Sequence, residues 1–188
     1  MQINFFRKKN PSASVVSGMQ TKQKRYEALV QAYNRDVYRY AYWLVRDKHI
    51  AEDIVQETFL RAWRSLDSLK DEKAAKSWLI TILRRENARR FERKQLNLVD
   101  IEDHSVADAH SLSSEQQIEN EWLRRQIDKL APEYKEPLLL QLIGGFNGDE
   151  IAEMLELNKN TVMTRLFRAR NQLKDALEDN QNRGQSNG

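Results

Sequence analysis

The stretch 146–170, FNGDEIAEMLELNKNTVMTRLFRAR, sets an acidic and apolar half against a basic half, with only LNKN between them. Each half carries helical periodicity. In the first, Asn147 or Asp149 stands where a cap belongs, Ile151, Ala152 and Leu155 fall on one face, and Leu157 follows at the turn. In the second, Asn160 or Thr161 can cap, and Val162, Leu166, Ala169 and Leu173 form one apolar stripe. The opposite face then presents Thr161, Thr164, Arg165 and Arg168. Two short helices joined by a tight polar turn make a helix-turn-helix pattern. The first helix braces, and the second offers its N-terminal turns to a major groove. Thr161 and Thr164 are short enough to reach base edges or phosphates, and Arg165 suits a bidentate contact to guanine. Lys159, Arg168, Arg170 and Lys174 suit phosphates. A helical hairpin with one solvated basic face is the plainer alternative.

Upstream of this unit, LLLQLIGG (138–145) predicts a buried helix ending at Gly144 and Gly145. Pro132 and Pro137 suit helix starts. A helix from near Ile118 carries Trp122, Leu123, Ile127 and Leu130 on its apolar side. Before it, residues 96–118 are acidic and weakly periodic. No Lys or Arg occurs from Gln95 to Leu123, while seven acids do, which predicts a flexible tether.

A second helical group lies further upstream. Tyr26, Leu29, Val30, Tyr33, Val37, Tyr40, Ala41 and Leu44 share one helix face, and RDKH interrupts it. Ile50, Ile54, Val55, Thr58, Phe59, Ala62 and Trp63 form the next stripe. After SLDSLKDEKAAK, Ser77 is a plausible cap for a third helix with Trp78, Leu79, Ile82 and Leu83 inside. That helix turns basic through Lys94. Strand signals are absent. The fold class is all-α: two small helical domains, 25–95 and 119–178, joined by a flexible acidic linker. Residues 1–24 and 179–188 read as flexible tails, and the domains are expected to move independently.

The chain has 188 residues and a formal net charge of +3, with no cysteine. Disulfides and thiolate metal sites are excluded. His49, His104 and His110 lack ligand spacing. No apolar run approaches a membrane span, and the start is not a signal peptide, so a cytoplasmic protein is expected. There is no Gly-rich phosphate loop, no Cys nucleophile and no converging carboxylate set. Catalysis, a cofactor and a small-molecule substrate are therefore not expected.

Three segments together carry a resemblance: AEDIVQETFLRAWRSL (51–66), SWLITILRRENARRFER (77–93) and GDEIAEMLELNKNTVMTRLFRARNQLKDAL (148–177). In order and spacing the chain resembles an extracytoplasmic-function (ECF) type bacterial sigma factor over about residues 25–178. The resemblance implies two promoter-binding domains, association with core RNA polymerase, and a role in transcription initiation. It also implies an inhibitory anti-sigma partner. On it, residues 51–63 match the helix that docks on the clamp coiled coil of the polymerase. This makes Asp53, Gln56, Glu57, Arg61 and Arg64 polymerase-binding candidates. Residues 65–78 match the loop that captures a flipped base of the minus-ten element, with Lys73 and Lys76 as backbone contacts. Trp78 belongs on the apolar stripe and is read as core. Arg84, Arg85, Arg89, Arg90 and Arg93 match a basic helix tracking promoter strands, and the second domain matches the reader of the minus-35 element.

Two positions depart from the family pattern. Glu156 stands where a turn glycine is common, and Arg85 where many members carry Asn. A stand-alone helix-turn-helix regulator is one competing reading, but it gives residues 51–64 no purpose. A sigma-like decoy is another, and the arginines on both DNA-facing helices speak against it.

Overall fold

The computed structural model describes the backbone of residues 12–96 and 114–185, which is helical apart from short connections. Helix α1 (Ser12–Val45) leads into α2 (Lys48–Ser65). Single 3-10 turns at Leu66–Ser68 and Glu72–Ala74 connect α2 to α3 (Ala75–Leu96). Then come α4 (Ser114–Lys129), α5 (Pro132–Leu142), α6 (Gly148–Leu155) and α7 (Lys159–Gln185). No described helix is long and apolar enough to cross a membrane. Among the described residues no His, Cys, Asp or Glu cluster could hold a metal.

Helices α1, α2 and α3 pack as a three-helix unit. Their interior is Val37, Tyr40 and Ala41 of α1, Ile54, Val55, Phe59 and Ala62 of α2, and Leu79 and Leu83 of α3, all on the predicted stripes, together with Ile80, which the α3 stripe did not include; Ile82, which it did, is partly buried. Asp47 caps α2 by accepting the Ile50 amide. Arg46, immediately before it, takes the left-handed conformation at φ 55°, so α1 stops there and the chain reverses. Trp78 is half-buried against both apolar clusters, as expected of a core residue. Ser77 is not the cap of α3. The helix has already begun at Ala75, and the Ser77 hydroxyl donates back to the Ala74 carbonyl.

In the second unit α7 is the hub, touched by α4, α5 and α6. Ile127, Leu138, Leu139, Ile151, Val162, Leu166 and Ala169 form its interior. Pro132 opens α5 as expected, but Pro137 lies inside that helix. Its buried ring extends the apolar run Leu138–Leu140, and this burial outweighs the one helical bond a proline forgoes. Gly145 leaves α5 at φ 74°, and a Cβ on Gly144 would collide with the Leu140 carbonyl and the Phe146 ring.

Three observations stand beside the sequence expectations. Helix α1 begins at Ser12, inside the stretch read as a tail, and Lys22 pairs with Asp67 at 2.9 Å. Helix α7 likewise runs to Gln185, past residue 178. The tether expected at 96–118 falls largely outside the described residues, and α4 takes up its end from Ser114. The third concerns the two domains, whose surfaces meet. Residues of both contribute to one apolar core, and α3 meets α6. The expectation of independence rested on the tether alone. It could not register complementary surfaces far apart in sequence.

Candidate nucleic-acid and polymerase interface

The turn between α6 and α7 fixes the helix-turn-helix. Asn147 accepts the amides of Asp149 and Glu150, and the Glu150 carboxylate accepts the Asn147 amide, a complete capping box. At the other end of α6, Glu156 adopts φ 55° and ψ 41°. This is the left-handed geometry a glycine would take freely, so the turn keeps its shape despite the missing glycine. Asn158, rather than Asn160 or Thr161, caps α7 by accepting the Thr161 amide at 2.7 Å. Lys159 reaches back to Asp149 at 2.8 Å across the turn.

The exposed face of α7 can now be assigned. Val162, Leu166 and Ala169 are buried, and Asn160, Thr164 and Arg168 lie opposite them in solvent. Thr161 and Arg165 are half-buried on one flank and, with Glu133 and Tyr134 of α5, line an open cleft. Arg168 donates to the Tyr134 hydroxyl at 3.3 Å. Arg170 turns toward α5 and donates to Gln141. Lys174 pairs with Glu178 one turn on. Among the exposed apolar residues of this helix, Phe167 at 62% exposure and Met163 at 46% escaped the sequence reading. Their signal was available, because neither fits the Val162–Leu166–Ala169 stripe.

In the first unit, the basic residues of α3 divide into two groups. Arg85, Arg89 and Arg93 recur at i, i+4 and i+8 and are all exposed. Arg90 is half-buried beside them. Arg84 points away, toward the second unit, where it pairs with Glu136 at 2.6 Å and donates to the Met154 carbonyl at 3.0 Å. Lys76 also faces that way. It binds Asp36 at 2.8 Å and lies over the Phe146 ring at 5.6 Å. The Lys76 hydrogen bond holds the Asp36 carboxyl below its usual range, against the opposing effect of burial. Lys73 is exposed in the second 3-10 turn.

On α2 the polar stripe is open. Asp53, Gln56 and Arg64 are exposed, and Glu57 is half-buried, pairing with Arg61 at 3.0 Å. Leu60, half exposed among them, is another apolar residue off the core stripe that the sequence reading passed over. Arg61 is drawn inward. Its Nε lies 2.6 Å from the buried Glu86 carboxylate without hydrogen-bond alignment, and Arg89 approaches the same oxygen at 2.6 Å. The loop after α2 is held from behind. Arg25 donates to the Leu69 carbonyl, and Leu66, Leu69 and Ala75 pack against Leu29.

Comparison with known proteins gives this geometry its context. Residues 29–96 match Sigma-70 region 2, and residues 120–173 match Sigma-70, region 4. The chain is 34% identical to the RNA polymerase sigma factor SigV of Bacillus subtilis over 73% of its length and 81% of that protein. It is 31% identical to the ECF RNA polymerase sigma factor SigM of the same organism, over 79% and 92%. Among solved structures, the sigma factor RpoE in complex with the anti-sigma factor NepR from Bartonella quintana superposes with a TM-score of 0.66. That match has 26% identity and covers 82% of this chain and 98% of that one. CnrH, in complex with the cytosolic domain of CnrY, shares the fold at a TM-score of 0.62 and 22% identity, covering 84% and 90%. With a region 2 bundle and a region 4 helix-turn-helix in one chain, and ECF factors among its relatives, this protein belongs to the ECF group of sigma-70 family RNA polymerase sigma factors.

Proposed function

We propose a division of labour within an established role. As a sigma factor the chain directs transcription initiation and is not itself an enzyme. The observation that carries our reading is the solvent face of α7, where Asn160, Thr164 and Arg168 stand opposite a fully buried stripe. This face is assigned to the minus-35 element, with Thr161 and Arg165 on its flank and Lys159, Arg170 and Lys174 toward phosphates. The loop through Lys73 and Lys76, with Arg84, Arg85, Arg89, Arg90 and Arg93 of α3, is assigned to the opened minus-ten element. The α2 stripe of Asp53, Gln56, Glu57, Arg61 and Arg64 is assigned to the polymerase clamp.

The working units are residues 25–95 and 119–178, with 96–118 as their tether, and the protein acts in the cytoplasm on a specific, stress-related set of promoters. An anti-sigma factor is the expected inhibitor, by extension from the relative crystallised with NepR. The test is run-off transcription with purified core polymerase on a library of genomic promoter fragments. Transcripts should start downstream of two sequence elements at fixed spacing. Absence of both promoter-dependent transcripts and core binding would refute the reading.

A further inference from the structure

The cleft beside α7 holds two opposite charges that the fold does not use. It has a volume of about 570 Å³. Thr161, Thr164, Arg165 and Arg168 of α7 line one side, and Glu133 and Tyr134 at the start of α5 line the other. Charged residues close by in the chain are matched internally. Lys135 pairs with Asp128 at 2.7 Å, Glu136 with Arg84 at 2.6 Å, and Lys159 with Asp149 at 2.8 Å. Arg168 donates to the Tyr134 hydroxyl. Among the described residues, Glu133 and Arg165 form no ion pair, and Glu133 is exposed.

A free carboxylate beside a DNA-reading helix needs a reason. The helix dipole favours an acid in the first turn of α5, and this explains why Glu133 is tolerated there. It does not explain an acid in a cleft that phosphates approach, where repulsion lowers affinity for every sequence alike. A carboxylate only accepts hydrogen bonds. In the major groove the base groups that donate are the amino groups of cytosine N4 and adenine N6. Adenine sets a second acceptor, N7, beside its amino group, and cytosine does not. Arg165 has the reverse preference, for the O6 and N7 acceptors of guanine. A G·C pair presents both acceptors and the donor along one edge. A glutamate and an arginine lining the same cleft are the complement of that edge.

We infer that Glu133 is a specificity-determining residue of the promoter-reading surface. It accepts the N4 amino group of one cytosine in the minus-35 element, while Arg165 takes the guanine paired with it. This rests on the assignment of α7 to that element made above. Glu133 acts largely by exclusion. Thymine or guanine in place of the cytosine sets an O4 or O6 acceptor against the carboxylate and leaves both without a donor.

The test uses holoenzyme reconstituted with the full chain and promoter duplexes carrying the preferred minus-35 element or each single-pair substitution of it. Glu133→Ala should weaken binding to the preferred duplex about tenfold. Duplexes substituted at one particular G·C pair should bind the variant as well as or better than they bind the parent. Discrimination is then lost at that pair and kept at the others. N4-methylcytosine at the same pair removes the donor without altering the protein. It should cost the parent about tenfold and Glu133→Ala nothing. A uniform shift over all duplexes would reduce Glu133 to a solvated acid at a helix start and overturn the inference. So would an N4-methyl penalty that is absent from the parent or equal in the two proteins. A parent holoenzyme with no preference at any pair of the element would overturn the assignment of α7 as well, which tells the two failures apart.

Discussion

Arg61 on α2 and Glu86 on α3 meet at 2.6 Å, and the Glu86 side chain is only 6% exposed. A carboxylate taken that far out of water must be paired, and here two arginines share the task, Arg89 being the other. Glu86→Ala should cost about 2–3 kcal/mol, less than a fully buried pair because Arg61 remains one-third exposed. Chemical denaturation of Glu86→Ala, and of Arg61→Leu combined with Glu86→Leu, checks this. The double apolar variant should recover much of the loss. If the single variant is as stable as the parent, the pair has no structural role.

Two non-glycine residues sit at φ 55°, Arg46 and Glu156, and the same substitution should move them in opposite directions. Glu156→Gly relieves a conformation that costs roughly 1–2 kcal/mol in an L-residue, at some expense in unfolded-chain entropy, and should stabilise by about 0.5–1 kcal/mol. Arg46→Gly relieves the same strain but deletes the contacts to Asp128 and Arg124 across the domain seam, so it should destabilise. Thermal unfolding of the two variants side by side decides the matter.

Acid should loosen the first unit through Asp36, which ties α1 to α3 by way of Lys76. Its carboxyl is held low by Lys76 when folded, so its contribution is fully present above the unfolded carboxylate range, near pH 4. It is lost as pH falls through the lower folded value. Asp36→Asn should therefore flatten the fall in stability below about pH 4 and lower stability at neutral pH. An unchanged acid limb in the variant would remove Asp36 from the account.

On α7, exposure separates the roles of neighbours. Thr164→Ala should cost about 1 kcal/mol on the preferred promoter and relax discrimination at one position. Arg168→Ala should weaken all sequences alike and reduce the salt slope by about one. Holoenzyme binding to single-base promoter variants at two salt concentrations reads both effects. Equal weakening of every variant by Thr164→Ala would take base reading away from that residue.

Charge reversal at Asp53 and Glu57 should lower affinity for core polymerase at least tenfold, a loss of about 1.4 kcal/mol or more, while helix content and melting stay near the parent. Leu60→Asp, placed among them, should act in the same direction. A well-folded Asp53/Glu57 variant with undiminished core affinity would move the docking face elsewhere.

Both helical units could be read from periodicity, because each buried stripe, from Val37–Tyr40–Ala41 to Val162–Leu166–Ala169, repeats at helical spacing. The cap of α6 was narrowed to Asn147 or Asp149, and the hydrogen bonds to the Asp149 and Glu150 amides choose Asn147. Asn158 was missed for a local reason: three capping residues compete within 158–161, and only the geometry of the Thr161 amide chooses between them. The candidate site was legible in its exposure, as at Thr164, Asp53 and Arg85, which lie off the apolar stripes and in solvent. It was not legible for Arg84, whose sequence neighbours are DNA-facing in pattern but whose partner Glu136 lies in the other unit. No periodicity encodes a pairing between distant segments.

The loop between α2 and α3 has one more consequence. Arg25 grips the Leu69 carbonyl, Ser68 donates to the Ser65 carbonyl, Asp71 accepts the Lys73 amide, and Leu66 and Leu69 are sealed under Leu29. On the role proposed for it, base capture at the opened minus-ten element, a loop fixed in advance surrenders little backbone freedom when a nucleotide swings against it. The energetic outlay of strand opening then falls on the DNA, as a few kcal/mol of lost stacking. Promoters whose bases unstack most readily at that step should fire soonest, and the long first helix, by splinting this loop, becomes a determinant of how fast a promoter melts.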